Sequence, residues 1–287
     1  MTKIIWPENL IEELAYRRAI LFLGSGVSAT AKNDRGESPD TWGEFLNKIK
    51  TLMRNPTPED IKFVDEMLEQ KNYLLALQAI YDLSDPGAFS KFLRDAFSRG
   101  NFKPSSVHRA IKKIDSKIVI TTNFDKIYDN LCNEEHYVKY DYRDTKSIVA
   151  NIKSPQNIII KAHGTIDDTG NLIFTSQQYF EKQELYPEFY TLLRALFITH
   201  TVLFIGYSLS DPDINLVLQS ISNTSSSTAP HYIVLKEGTS KHIIKHWEES
   251  YNIRCLEYGP NYENLEENIL ELQEAVSQLR AERGIYE

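Results

Sequence analysis

The chain has 287 residues, 41% hydrophobic and 25% charged, and a formal net charge of -8 from 32 Lys and Arg against 40 Asp and Glu. This is an ordinary globular composition, long enough for one large domain or a domain carrying an insertion. The acidic balance disfavours general nucleic-acid binding, and no apolar run approaches the roughly 20 residues that span a bilayer. The first ten residues, MTKIIWPENL, lack the apolar stretch and small-residue cleavage site of a signal peptide. Two cysteines, Cys132 and Cys255, make neither a disulfide framework nor a cysteine zinc site, so a reducing cytoplasm is the expectation.

Residues 8–18 predict an amphipathic helix with Leu10, Ile11 and Leu14 inward. AILFLG (19–24) follows as a buried strand ending in glycine. Gly24, Gly26 and Ala29 satisfy G-x-G-x-x-G/A, a pattern in which glycine lets the backbone turn tightly and approach a pyrophosphate. A purely structural tight turn explains the same pair, and both readings stand at this point. The dinucleotide fingerprint is incomplete. TAKNDRGESPD after Ala29 is a polar loop rather than a long helix, and Glu44, at the spacing of a ribose-binding acid, lies in the helical pattern WGEFLNKI. A hydride-transfer Rossmann domain fits poorly, whereas a loop folding over a nucleotide as a lid is compatible.

Residues 42–113 hold helical patterns and no convincing strand. Pro56 and Pro58 interrupt the first of them, and SDPGAF and NFKPSS mark turns. Residues 51–104 are read as a helical insertion into a domain built from 1–50 and 105–287. Continuous apolar, β-branched runs then recur: KIVITTN (117–123), NIIIKAHG (157–164), TVLFIGYS (201–208) and HYIVLK (231–236). Such runs suit strands buried on both faces of a parallel sheet. With helices between them they predict an α/β fold, a Rossmann-like doubly wound parallel sheet.

SNTSSSTAP (222–230) reads as a polar loop between two strands. KHIIKHWEESYNIRCLEY reads as a helix and an edge strand, with Cys255 a small core residue rather than a nucleophile. His242 and His246 share a helix face, but Ile243 stands where a zincin carries Glu, so a surface helix without metal is expected. Tyr262, Leu265, Ile269, Leu272, Val276 and Leu279 predict a last amphipathic helix packed on the body, a partner helix being the alternative. HYVKYDYRD (136–144) has too few bases for a nucleic-acid stacking platform.

Open α/β sheets collect ligands at the carboxyl ends of their strands. Those ends deliver Thr121-Thr122-Asn123-Phe124-Asp125, then Lys161-Ala162-His163-Gly164, then Gly206-Tyr207-Ser208 and on to Asp211 and Asp213. Each has a plain structural reading. Asn123 and Asp125 can cap the helix DKIYDNL, His163 can be a satisfied core histidine, and Asp211 or Asp213 can cap INLVLQSI.

Together, GSGVS, TTNFD, KAHG and GYSL resemble, in order, the sirtuin signatures G-A-G-x-S, T-Q-N-x-D, H-G and G-T-S-L. SPDTWGEFL and FIGYSLSDPDI look more like bacterial sirtuin-like proteins of antiphage defence than like protein deacylases. No cysteine lies between Cys132 and Cys255, so the deacylases' zinc module is absent. ESPDTW replaces their G-I-P-D-F-R loop, and Thr122 replaces the glutamine of T-Q-N-x-D.

The resemblance implies hydrolysis of NAD to nicotinamide and ADP-ribose by a toxic effector of antiphage defence. NAD is then the substrate, with no other cofactor, no zinc and no membrane. It implies Asn123, His163 and Asp125 as catalytic residues: Asn123 on the nicotinamide ribose or water, His163 as general base, Asp125 orienting the nicotinamide end or the Asn123 loop. It implies Gly24, Ser25, Gly26, Ser28 and Thr122 at the diphosphate and ribose, and Gly206 and Ser208 toward the adenosine. A non-catalytic NAD or ADP-ribose sensor is the second reading and a zinc-free deacylase the third. A free NAD hydrolase would poison its own cell, so restraint is expected from a homo-oligomer or a separate HerA-type ATPase subunit.

Overall fold

The computed structural model describes residues 3–285 except 99, 133–136, 209–211 and 226–228, and leaves the side chains of 213 and 222–225 undescribed. In chain order the main elements are α1 (Glu8–Ala15), β1 (Ala19–Leu23), α2 (Ser25–Ser28), α3 (Trp42–Ile49), α4 (Pro58–Glu69), α5 (Tyr73–Asp82), α6 (Pro86–Ser98), α7 (Ser106–Ile114), β2 (Ile118–Thr121), α8 (Ile127–Leu131) and β3 (Tyr137–Asp141). They continue with α9 (Thr145–Asn151), β4 (Asn157–Lys161), α10 (Ser176–Leu185), α11 (Pro187–Thr199), β5 (Thr201–Ile205), α12 (Pro212–Ser225), β6 (His231–Leu235), α13 (Lys241–Tyr251), β7 (Ile253–Glu257) and α14 (Tyr262–Arg283).

The seven strands form one parallel sheet in the order β3-β4-β2-β1-β5-β6-β7. Strand alternation splits the core into two layers. Ile20, Phe22, Ile120, Ile160 and Phe204 meet Phe189, Leu193 and Phe197 of α11 on one face. Leu21, Leu23, Val119, Ile159 and Leu203 meet Leu10, Ile111, Leu272 and Val276 from α1, α7 and α14 on the other. The sheet is therefore doubly wound. Chain order reverses at β1, which has β2 on one side and β5 on the other, and this switch point opens the crevice at the strands' carboxyl ends.

Helices α3–α6 gather round a third apolar cluster of Phe45, Leu77, Phe89 and Leu93. It takes in Phe124, Ile166 and Phe174 from the segments after β2 and β4, with Phe124 stacked on Phe174 at a centroid distance of 4.6 Å. The helical segment is thus fastened to the strand ends that carry the candidate site.

Three sequence readings change, and a fourth holds except at one residue. The first helix stops at Ala15, where Arg17 adopts φ +59°. β3 lies within the stretch weighed only for nucleic-acid stacking; as an edge strand it buries one of its five residues and lacks a continuous apolar run. The polar stretch at 222–230 is not all loop, because α12 runs to Ser225; residues 226–228 lie outside the described set. The last helix packs on the body, burying Leu265, Ile269, Leu272 and Val276, while Tyr262 is 63% exposed.

Arg280 in that helix is buried. It donates to the carbonyl oxygens of Leu14, Ala15 and Ile114 at 3.1, 3.0 and 2.9 Å. These are C-terminal carbonyls of α1 and α7; that of Leu14 also accepts from the Arg17 amide at 3.0 Å, so Arg280 matters most to Ala15 and Ile114. Arg280→Ala is expected to cost about 3 kcal/mol, since it strands the Ala15 and Ile114 acceptors and empties a buried site, and urea unfolding will measure the loss.

Candidate active site

The glycines at the end of β1 meet the exit of β5. Gly24 N–H donates to the Ile205 carbonyl and Gly26 N–H to the Gly206 carbonyl, both at 2.9 Å. A Cβ on Gly24 would stand 2.7 Å from Tyr207 Cα, and one on Gly26 would stand 2.8 Å from Gly206 Cα. Gly206 has φ +63°, and a Cβ there would lie 2.7 Å from the Gly26 carbonyl carbon. Backbone approaches backbone so closely that three glycines are required. Their missing side chains are accounted for within the protein, in agreement with the tight-turn reading. The Gly26 amide is also already engaged. The loop 30–40, whose sequence is compatible with a lid, is fastened to Lys103: Lys103 N–H donates to the Lys32 carbonyl at 2.9 Å and its ammonium pairs with Asp34.

Asn123 stands just past β2, beside that crossing. Its side-chain amide donates to the Gly24 carbonyl at 2.9 Å and to Ser28 Oγ at 3.0 Å. A carbonyl only accepts, so the atom facing Gly24 must be Nδ2. Both Nδ2 hydrogens are thereby used, which leaves Oδ1 as the amide's remaining polar function. Ser28 Oγ in turn donates to Asp125 Oδ2 at 2.7 Å, and Asp125 Oδ1 accepts from the Ile127 amide at 2.9 Å. Asp125 therefore satisfies the first amide of α8, just ahead of the N-cap residue Lys126, and steadies Ser28 and Asn123 together. The buried Ser28 hydroxyl points into this network.

His163 follows β4, the neighbour of β2. Thr121 pairs with Lys161 in register, so Asn123 and His163 each lie two residues beyond the paired strand ends. His163 is 3% exposed, its ring edge-on to Tyr179 with centroids 5.1 Å apart and Nδ1 3.4 Å from the Tyr179 hydroxyl. Thr122 is half-buried at the same strand end as Asn123; Ser25 and Ser208 are exposed near the β1–β5 crossing. Strand ends β1, β2, β4 and β5 thus bring the ten candidate residues to one edge of the sheet. Asp211 and the Asp213 side chain lie outside the described residues.

Three polar residues under the site carry no role that the sequence alone suggests. Lys161 and Asp129, both buried, form an ion pair of 3.3 Å. His108, 1% exposed, accepts from the Ser105 amide at 3.2 Å through Nδ1, so its proton is on Nε2. It is the third helical residue of α7 and closes a capping box usually completed by Glu or Gln. His108 lines a cavity of about 10 Å³ with Ser28, Asn123, Asp125 and Lys161. Among the described residues no group of three or more His, Cys, Asp and Glu is placed to hold a metal ion. No described helix is long and apolar enough to cross a membrane.

Burial pushes His108 down to about 4, with the Asp125 charge opposing, and burial does the same to His231. Unfolded, each binds a proton below about 6.5; folded, each stays neutral until about 4. The unfolded state therefore holds more protons in this window, and stability falls as pH drops from about 6.5 to about 4. The two together contribute on the order of 5 kcal/mol of this loss. Chemical denaturation from pH 7 to 4 should show the decline, and His231→Asn should flatten part of it.

Fold and strand-end cluster define a doubly wound α/β domain with a polar site at its topological switch point. Residues 117–256 match a family model described as SIR2-like domain. It is 24% identical over 281 residues to Defense-associated sirtuin 2 of Bacillus subtilis, covering 96% of this chain and 26% of the relative. It is 24% identical over 250 residues to NAD(+) hydrolase ThsA of Enterococcus faecium, covering 85% and 48%, and 21% identical over 251 residues to that of Acinetobacter baumannii (strain 532279), covering 87% and 48%. The chain spans about half or less of the length of these relatives. A solved chain from work on the mechanism and regulation of Sir2 enzymes aligns with TM-score 0.47 at 15% identity, covering 95% of this chain and 98% of that one.

Proposed function

We propose that this chain hydrolyses NAD at the nicotinamide–ribose bond as an NAD-depleting effector of antiphage defence. The observation that carries the reading is Asn123. Its amide hydrogens are spent on Gly24 and Ser28, leaving Oδ1 to accept from a ribose hydroxyl or a water at the switch point. The SIR2-like match and the relatives named NAD(+) hydrolase support the choice of substrate.

The pyridinium charge makes nicotinamide a good leaving group, so the site's task is to stabilise oxocarbenium character at the ribose and supply water. His163 acts as general base toward that water or a ribose hydroxyl, a role suited to imidazole near neutrality. Asp125 holds the Asn123 loop through Ser28. The Gly24–Ser28 turn and Thr122 shape the diphosphate and ribose side, with Gly26 N–H and the Ser28 hydroxyl serving the turn's own structure. Gly206 and Ser208 border the adenosine side. NAD plus water gives nicotinamide, ADP-ribose and a proton, and neither another cofactor nor zinc enters the reaction. The NAD is cytoplasmic, and restraint comes from a homo-oligomer or a HerA-type ATPase subunit.

A non-catalytic NAD or ADP-ribose sensor is the second reading, favoured by the 3% exposure of His163. Chromatography of nicotinamide and ADP-ribose after incubation with near-millimolar NAD, beside calorimetric binding, separates the two. Product release supports the hydrolase. Binding without release, alone and with a candidate ATPase, supports the sensor.

A further inference from the structure

Lys161 closes β4, two residues before His163. Its ammonium donates to the Asp125 backbone carbonyl at 2.6 Å and stands 3.3 Å from an Asp129 carboxylate oxygen. Both side chains are 4% exposed. An ion pair so buried is a weak source of net stability, because desolvating two charges offsets most of their attraction; apolar pairs of similar volume often serve as well. The contact to the Asp125 carbonyl is one that an apolar pair cannot replace. Lys161 fastens the main chain at Asp125, whose side chain holds Ser28 and the Ile127 amide.

The loop between β2 and α8 is therefore held at several points. Thr121 Oγ1 accepts from the Asn123 amide at 3.0 Å, Phe124 is stacked on Phe174, and Lys161 holds the Asp125 carbonyl. The adjoining cavity of about 10 Å³ has room for about one water, so the loop has little space to settle inward. We infer that Lys161, with Asp129 as its counter-charge, is a positioning residue that fixes the height of the Asn123–Asp125 loop above β2 and β4. The inference rests on the NAD-hydrolase reading for its catalytic consequence and on the loop geometry alone for its structural one.

The test compares Lys161→Met with Lys161→Met/Asp129→Leu. The single variant leaves a buried carboxylate unpaired and is expected to lose stability; the double recovers most of it. If the loop is positioned by Lys161, amide exchange across Asn123–Ile127 in the double variant rises at least about tenfold, while β1 and β4 keep their protection. Its kcat for NAD stays about tenfold to a hundredfold below wild type with KM little changed. Lys161→Met/Asp129→Asn gives the same comparison if the leucine variant does not fold. Wild-type exchange across the loop overturns the inference, as does wild-type kcat in a variant whose loop exchanges fast. Should the wild type itself not cleave NAD, the hydrolase reading fails while the exchange data still decide the positioning role.

Discussion

His163→Ala is expected to lower nicotinamide release by a factor of about 10² to 10⁴ and to leave the chain folded. The expectation combines chemistry with placement. His163 is the one histidine in the sequences of the four strand-end clusters, and it lies two residues past a strand paired in register with the one that delivers Asn123. Its tertiary contacts include the Tyr179 ring edge and Nδ1 approach, so alanine removes an aromatic partner without breaking a strand. The companion change Asn123→Asp is the more discriminating one. It keeps volume but sets a carboxylate oxygen against the Gly24 carbonyl where an N–H now donates at 2.9 Å. Acceptor then faces acceptor, and the side chain must turn away. Turnover by Asn123→Asp is expected to fall at least as far as by Asn123→Ala, as initial rates of nicotinamide formation will show.

Gly206→Ala is expected to cost about 3 kcal/mol and to remove activity as well, through two additive strains. The left-handed φ of +63° costs a residue with a Cβ about 1–2 kcal/mol, and overpacking against fixed atoms costs a similar amount. The atoms it meets are the backbone of Gly26 and Val27, which have no rotamer with which to yield. Pushing them back draws Ser28 away from Asn123 and Asp125. Gly43→Ala is the control: nothing lies within 4 Å of its Cβ position and it is inside α3, so it should be neutral or mildly stabilising. Urea unfolding of the two variants, with NAD turnover measured on each, tests both halves.

Much of this fold is legible in the sequence because its inner strands are buried on both faces. AILFL, IVIT, NIIIK, TVLFI and HYIVL are continuous apolar runs, and each is a strand. β3 was invisible for the complementary reason: at the sheet's edge, Tyr137, Val138 and Tyr140 are only partly covered and Lys139 is exposed. The strand-end motifs likewise stand out as polar clusters after apolar runs. What ties them together does not. Lys161 and Asp129 are 32 positions apart and pair only because α8 folds back over the end of β4. His108 belongs to a helix whose sequence shows only an ordinary amphipathic pattern. The glycines were conspicuous, yet their partner was the backbone of a strand 180 residues later, which only the sheet order reveals.

The most direct measurement is the fate of NAD in ¹⁸O-labelled water. The purified chain is incubated with NAD, and the products are read by mass spectrometry beside His163→Ala. One nicotinamide is expected for each NAD lost, and ADP-ribose carrying one solvent oxygen at the ribose, from the wild type alone. NAD that is bound but unaltered in mass and amount, with and without a candidate ATPase partner, would contradict this expectation.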